Sequence, residues 1–163
     1  MADIRILKQQ DLNHYTKLLS SNSHTYAWDK LYLENVSDDY LQQVLSSEED
    51  YCNIFGAFKD KELVACVTLR QLRQVGNAHK ALIENLFIID KEDKDTIQKL
   101  LNTVIEHAKS RNIEKLMTCV TSNNISGKIF FSTLGFETLG LETKSSKIGN
   151  DYFDVHWLLY DID

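Results

Sequence analysis

The 163-residue chain contains no proline and only six glycines, so its turns must draw on Asn, Asp and Ser as well as Gly. It has no Cys-x-x-Cys pair, which excludes a zinc site of that kind. Its three cysteines, Cys52, Cys66 and Cys119, lie far apart in apolar stretches. An odd count without a framework fits reduced, buried thiols in a cytoplasmic protein. No apolar run approaches the ~20 residues that span a bilayer, so no membrane partner is expected. The start "MADIRILKQQ" lacks the apolar core and cleavage site of a signal peptide, which again points to the cytoplasm. An excess of basic residues is missing too. With 18 Lys and Arg against 24 Asp and Glu, the formal net charge is −6, and a nucleic-acid partner is not expected. His14, His79, His107 and His156 show no metal spacing, so no metal is expected. His107 falls on the polar side of a predicted helix and reads as solvated.

What is present reads as one unit, a single domain over residues 1–163, with no repeat and no linker. "DIRILK" alternates, with Ile4 and Ile6 on one face, and predicts a strand. "DLNHYTKLLSS" predicts a helix capped by Asp11. "SDDYLQQVLSS" predicts a second, capped by Ser37 with two acids in its first turn. "YCNIFGAF" and "ELVACVTLRQL" read as a hairpin around "KDKE". "ALIENLFII" is the most apolar strand and should be central. Behind it, Ile97, Leu100, Leu101, Val104, Ile105 and Ala108 keep helical spacing. "IEKLMTCVT" reads as a strand, and "NNISGKIFFSTL" as a short helix stopped by Gly135. "FETLGLETK" and "YFDVHWLLY" read as closing strands.

The predicted order is β-α-α-β-β-β-α-β-α-β-β. Three consecutive strands imply antiparallel pairing, and the strand–helix–strand unit from Ala81 to Thr121 implies one parallel crossover. The fold class is α/β in the broad sense: a mixed, mostly antiparallel central sheet with helices on both faces.

This order resembles the GNAT superfamily of N-acetyltransferases over nearly the whole chain. "ALIENLFII" looks like that family's fourth strand, with Glu84 two residues before the triplet Leu86-Phe87-Ile88. "NNISGKIFFSTLGF" resembles the family's N-x-x-A-x-x-x-Y-x-x-x-G-F stretch, matching at Asn124, Gly127, Gly135 and Phe136. The resemblance implies acetyl-CoA as co-substrate and direct acetyl transfer to a primary amine of a small molecule or protein. It implies Glu84 as the base. Leu86, Phe87 and Ile88 would form the pantetheine strand, and Lys94, Asp95, Thr96, Ile97 and Gln98 the phosphate end. Asn124 would contact the pantetheine arm, and Phe131 would pack beside the sulfur. Tyr26, Trp28 and Tyr32 would border the acceptor pocket, and a homodimer is implied as possible.

Two departures keep an alternative open, a catalytically impaired binding or regulatory module on the same fold. The family's phosphate loop, R/Q-x-x-G-x-G/A, falls on Glu92, Asp95 and Ile97, and has no glycine in any register. "DKEDKDTIQKLL" carries four acids instead, and reads equally as a helix start capped by Asp95 with Gln98 completing a capping box. The second departure is Phe131, which stands where the family often has a tyrosine acid and has no proton to give. Glu84 itself, by alternation, shares a face with Leu82, Leu86 and Ile88 unless a bulge intervenes, and it reads either as a base or as the partner of a nearby arginine.

Overall fold

A computed structural model describes residues 1–21, 24–25, 37–46 and 51–162, with backbone alone at 24, 25 and 148. Tyr26, Trp28 and Tyr32 lie outside the described residues. The strands are β1 (Asp3–Ile6), β2 (His24–Thr25), β3 (Cys52–Lys59), β4 (Glu62–Gln71), β5 (Lys80–Ile88), β6 (Lys115–Thr121), β7 (Glu137–Ile148) and β8 (Asp151–Asp161). The described α-helices are α1 (Leu12–Ser20), α2 (Asp38–Ser46), α3 (Lys94–Ser110) and α4 (Ile125–Thr133).

One sheet runs β1-β3-β4-β5-β6-β8-β7, with β2 added beside β5. Every pairing is antiparallel except β5 with β6. That one parallel pair is joined by α3, as the Ala81–Thr121 pattern requires. The short β2 is an addition to the expected order.

Helices cover both faces because each carries one apolar stripe. On one face, Ile97, Leu100, Leu101, Val104 and Ala108 of α3 and Phe131 of α4 pack with Leu69, Ile83, Leu86, Ile88 and Leu116 of the sheet. On the other, Tyr15, Leu18 and Leu19 of α1 and Leu41 and Leu45 of α2 pack on Ile54, Phe58, Cys66 and Phe87. Each fully buried aliphatic side chain contributes roughly 1.5–3 kcal/mol. His107 is only partly exposed, with its Nε2 buried, where the helical pattern suggested a solvated side chain. Its ring stands edge-on against Phe55, with centroids 5.1 Å apart. The α3 stripe is simply wider than its aliphatic residues.

Scarce glycine leaves its mark on the turns. Asp60 and Lys61 hold φ of 49° and 68° between β3 and β4, where a two-residue hairpin turn needs positive φ at both positions. Gly135, at φ 100°, stops α4 as expected. Ser37 caps α2 by accepting the Tyr40 N–H at 3.2 Å.

Asp11 precedes α1 as expected, but its side chain does not cap that helix. It turns back instead, taking both Arg5 nitrogens at 2.7 Å and the Lys8 N–H at 2.8 Å. Arg5 in turn lies over the Phe58 ring. Only 3% of Asp11 is exposed, so the Arg5 partnership holds its carboxyl below the usual carboxylate range against the opposing cost of burial. A depressed folded-state value stabilises the fold above the unfolded value, and that stability disappears as pH falls through the folded one. Asp11→Asn is expected to cost about 2 kcal/mol at pH 7. In urea melts this deficit should shrink as pH drops below about 4, where ordinary carboxylates protonate. A deficit that is constant down to pH 2 would remove the charge from the explanation.

Candidate active site

The site is built where β5 parts from its neighbours. The β5–β6 ladder covers only Lys80, Ala81 and Leu82 of β5, opposite Lys115, Leu116 and Met117. Beyond Leu82 the two strands diverge. Among the described residues, that edge of β5 has no strand partner again until Phe87 and Ile88, which pair with Thr25 and His24. On its other edge, β5 pairs Glu84 with Thr68 and Phe87 with Cys66, so one residue of β5 is surplus. That surplus is the bulge, and Asn85 sits in it at φ 54°.

The bulge reverses the expected alternation. Ala81 and Ile83 face the α3 side, and so do Leu86 and Ile88 beyond the bulge. Phe87 faces the α1 and α2 side. Glu84 therefore shares its face with Leu82 and Phe87, not with Leu86 and Ile88. On that face it meets Arg70 of β4: Nη2 to Oε1 is 2.5 Å and Nε to Oε2 is 3.3 Å. Both side chains keep contact with solvent, at 43% for Arg70 and 33% for Glu84. The bond to Glu84 raises the Arg70 guanidinium further, so it stays cationic. Burial, with the Glu84 charge adding to it, pushes up both the Cys52 thiol and the Tyr40 phenol, so both stay protonated. Cys119, in β6, is half-buried opposite Trp157.

On the opposite face a cavity of about 280 Å³ separates the start of α3 from α4, lined by Lys94, Ile97, Gln98, Ser126, Phe130 and Leu134 among others. Its apolar floor and polar rim suit an amphipathic chain ending in an anion. Of the expected phosphate-end residues, Lys94, Ile97 and Gln98 reach this cleft. Asp95 is exposed outside it, and Thr96 is buried against Asp93. Phe131 is 1% exposed, its ring edge-on to Phe130 and Phe136, and the residue that lines the cleft is its neighbour Phe130. Asn124 caps α4 by accepting the Gly127 N–H at 2.9 Å. Leu86, Phe87 and Ile88 are buried side chains, and on their edge toward β6, Phe87 and Ile88 pair with β2 while Leu86 has no strand partner among the described residues.

The helix start in "DKEDKDTIQKLL" differs from expectation. The cap is Asp93, not Asp95. Asp93 accepts the Thr96 N–H at 3.2 Å and the Thr96 hydroxyl at 2.7 Å, and pairs with Lys59 from the end of β3. These partners hold its carboxyl below the usual range. Asp90 accepts the Glu92 N–H at 3.0 Å. The Asp93 N–H bonds the Asp90 carbonyl, the Lys94 N–H that of Glu92, and the Ile97 N–H that of Asp93. Five amides of this loop, those of Glu92, Asp93, Lys94, Thr96 and Ile97, are thus engaged inside it, two of them by carboxylates, where a glycine-rich loop leaves its amides for a phosphate.

Sequence reasoning missed three residues here. The arginine expected in one reading of Glu84 is present, but the sequence does not identify it: Arg70 lies 14 positions away and meets Glu84 only through sheet register. Lys59 likewise reaches Asp93 across the fold. Asn85 was legible in principle, because Asn is the non-glycine residue most at ease at positive φ, and one within an apolar strand marks a bulge.

Comparison with known proteins identifies the family and the fold. Residues 4–157 match the family model "Acetyltransferase (GNAT) domain". A solved structure of a probable acetyltransferase from Staphylococcus epidermidis ATCC 12228 is 51% identical, covers 100% of both chains and superposes with a TM-score of 0.91. An N-acetyltransferase from Staphylococcus aureus Mu50 is 37% identical over 99% of this chain and 98% of its own, with a TM-score of 0.84. The ribosomal-protein-S18-alanine N-acetyltransferase of Escherichia coli, 15% identical over 99% of this chain and 94% of its own with a TM-score of 0.74, shares the fold. No curated protein sequence matches. With the bulge, the parted strands and the helix start arranged in this order, the chain belongs to the GNAT acetyltransferase family and is an acyltransferase.

Proposed function

We propose that the protein transfers an acetyl group from acetyl-CoA directly to a primary amine. The observation that carries this reading is the parting of β5 from β6 beside the Asn85 bulge, with Glu84 at its mouth. A thioester lying in the gap meets the backbone of β5 between Ile83 and Leu86, the stretch that no strand covers among the described residues. The N–H groups there polarise its carbonyl. The amine nitrogen forms a bond to the acetyl carbon as the carbon–sulfur bond breaks. Glu84 removes a proton from the ammonium form, directly or through water. The CoA thiolate leaves and is protonated through water, which passes on the second proton that the nitrogen sheds as the amide forms, since position 131 carries no acid. Holding amine and thioester together supplies much of the acceleration without that acid.

The pantetheine arm runs from this gap toward the cleft between α3 and α4. To follow β5 as far as Ile88 it must take the edge that His24 and Thr25 occupy. The phosphate end meets Lys94 and Gln98, and competes there with Asp93 for the helix start. A neighbouring carboxylate about 5 Å from a phosphate costs roughly 1–3 kcal/mol.

Three outcomes are expected. Acetyl-CoA at 100 times its Kd should add about 2.7 kcal/mol of stability, raising the melting midpoint by about 5–10 °C at this chain length. A midpoint that saturating acetyl-CoA leaves unmoved would end the enzyme reading. Glu84→Gln should lower kcat on any accepted amine by about 10²-fold or more and flatten the pH–rate profile. A variant that keeps the wild-type profile takes Glu84 out of the chemistry. Asp93→Asn keeps a good cap, removes one negative charge and frees Lys59, so it should tighten the Kd for CoA about tenfold, or ~1.4 kcal/mol. Calorimetry showing equal or weaker binding would mean that Asp93 does not oppose the phosphate.

A further inference from the structure

The Arg70–Glu84 pair spans two strands at a place where ligand, not only protein, can reach it. At this exposure an ion pair adds little to stability, so exchanging it for ligand contacts costs little. Its orientation is informative. β4 lies on the side of β5 away from β6, so Glu84 is nearer the gap that would hold the thioester and Arg70 is one strand farther. A molecule with its amine on Glu84, extended across the α1 and α2 face, passes over Arg70 next.

We infer that the acceptor is a zwitterion, an amine carrying a carboxylate on the adjacent carbon, with its ammonium on Glu84 and its carboxylate on Arg70. This rests on the role of Glu84 proposed above. In an α-amino acid the nitrogen and the carboxyl carbon are about 2.5 Å apart. The molecule therefore lies head-to-tail against the Arg70–Glu84 pair, each charge meeting its opposite. The guanidinium fork matches a carboxylate in two-point contact, as it matches Glu84 in the structure. Tyr40, whose phenol stays protonated beside this pair, has a proton to donate to a carboxylate oxygen. Cys52 contributes an uncharged wall. An amine without the carboxylate leaves Arg70 with no partner but Glu84, and so competes with arginine for its own base. Specificity arises from that competition for Glu84 as much as from the added contact.

The test uses matched pairs: alanine with alaninamide, leucine with isoamylamine, phenylalanine with phenethylamine, and serine with ethanolamine. Turnover is read as thiol release from acetyl-CoA. At least one amino acid should exceed its partner tenfold in kcat/KM. Arg70→Met should cut that preference at least tenfold, mainly through KM, and Arg70→Lys should restore part of it. Amines or amides that equal or beat the amino acids throughout would overturn the inference, as would an Arg70→Met variant that lowers both members of each pair alike, the mark of a merely structural arginine. Thermal melts with millimolar amino acid and no acetyl-CoA separate the two levels. If acetyl-CoA is neither bound nor consumed, the acetyl-transfer reading fails. In that case an amino-acid shift lost in Arg70→Met still supports the zwitterion site, and the absence of any shift overturns it.

Discussion

The functional geometry depends on one backbone constraint, the surplus residue in β5. Asn85 at φ 54° puts an extra residue into a strand that otherwise alternates. Without it, Leu86 and Ile88 would turn toward α1 and α2, and Phe87 toward α3. The two clusters of the core would each receive the wrong side chains, because a one-residue slip exchanges the faces of everything that follows. The bulge lets Ile83, Leu86 and Ile88 all serve the α3 side while Glu84 and Phe87 serve the other. The same local twist accompanies the departure of β5 from β6. Core packing and an opening in the sheet thus share one cause, which is why the opening lies at the centre of the molecule and not at an edge.

Glu84 shows what that position does to a side chain. A carboxylate in the middle of a central strand would ordinarily be costly to bury. Here it borders an opening, and Arg70 meets it from the neighbouring strand. The pair keeps both charges in contact with water and with each other. It is also what makes the face legible as a polar patch on an apolar sheet, flanked by a phenol and a thiol that remain neutral.

Much of the fold could be read from the sequence because it rests on periodicity. The α3 stripe from Ile97 to Ala108, the hairpin around Asp60 and Lys61, and the stop at Gly135 all follow from local rules. The site could be read in its strand and in Glu84, but not in orientation. Alternation put Leu86 and Ile88 on the face of Glu84 and Leu82 unless a bulge intervened, and only one residue, Asn85, betrays that bulge. Arg70 and Lys59 escaped for a different reason: their partners are brought to them by sheet register, not by neighbourhood in the chain. The cap was placed two residues late because Asp93 and Asp95 both satisfy the local rule. Lys59 and the Thr96 hydroxyl, which only the fold supplies, decide between them.

The acids of "DKEDKDTIQKLL" acquire a physical role in the same way. A glycine-rich loop leaves its amides open and is completed by the anion it binds. This loop is completed by its own anions: Asp90 takes the Glu92 N–H and Asp93 takes that of Thr96, while Lys59 balances Asp93. A helix start closed in this manner is ordered without ligand and has its dipole already compensated. The gain is a stable α3, on which the larger core cluster is built. The corresponding cost falls on any phosphate, which must exchange with a bonded carboxylate instead of entering a vacant cradle. Affinity at this end is then set by a difference between two anions. The apolar cleft running on to Phe130 and Leu134, with the stretch of β5 that has no strand partner among the described residues, is left to supply most of the grip.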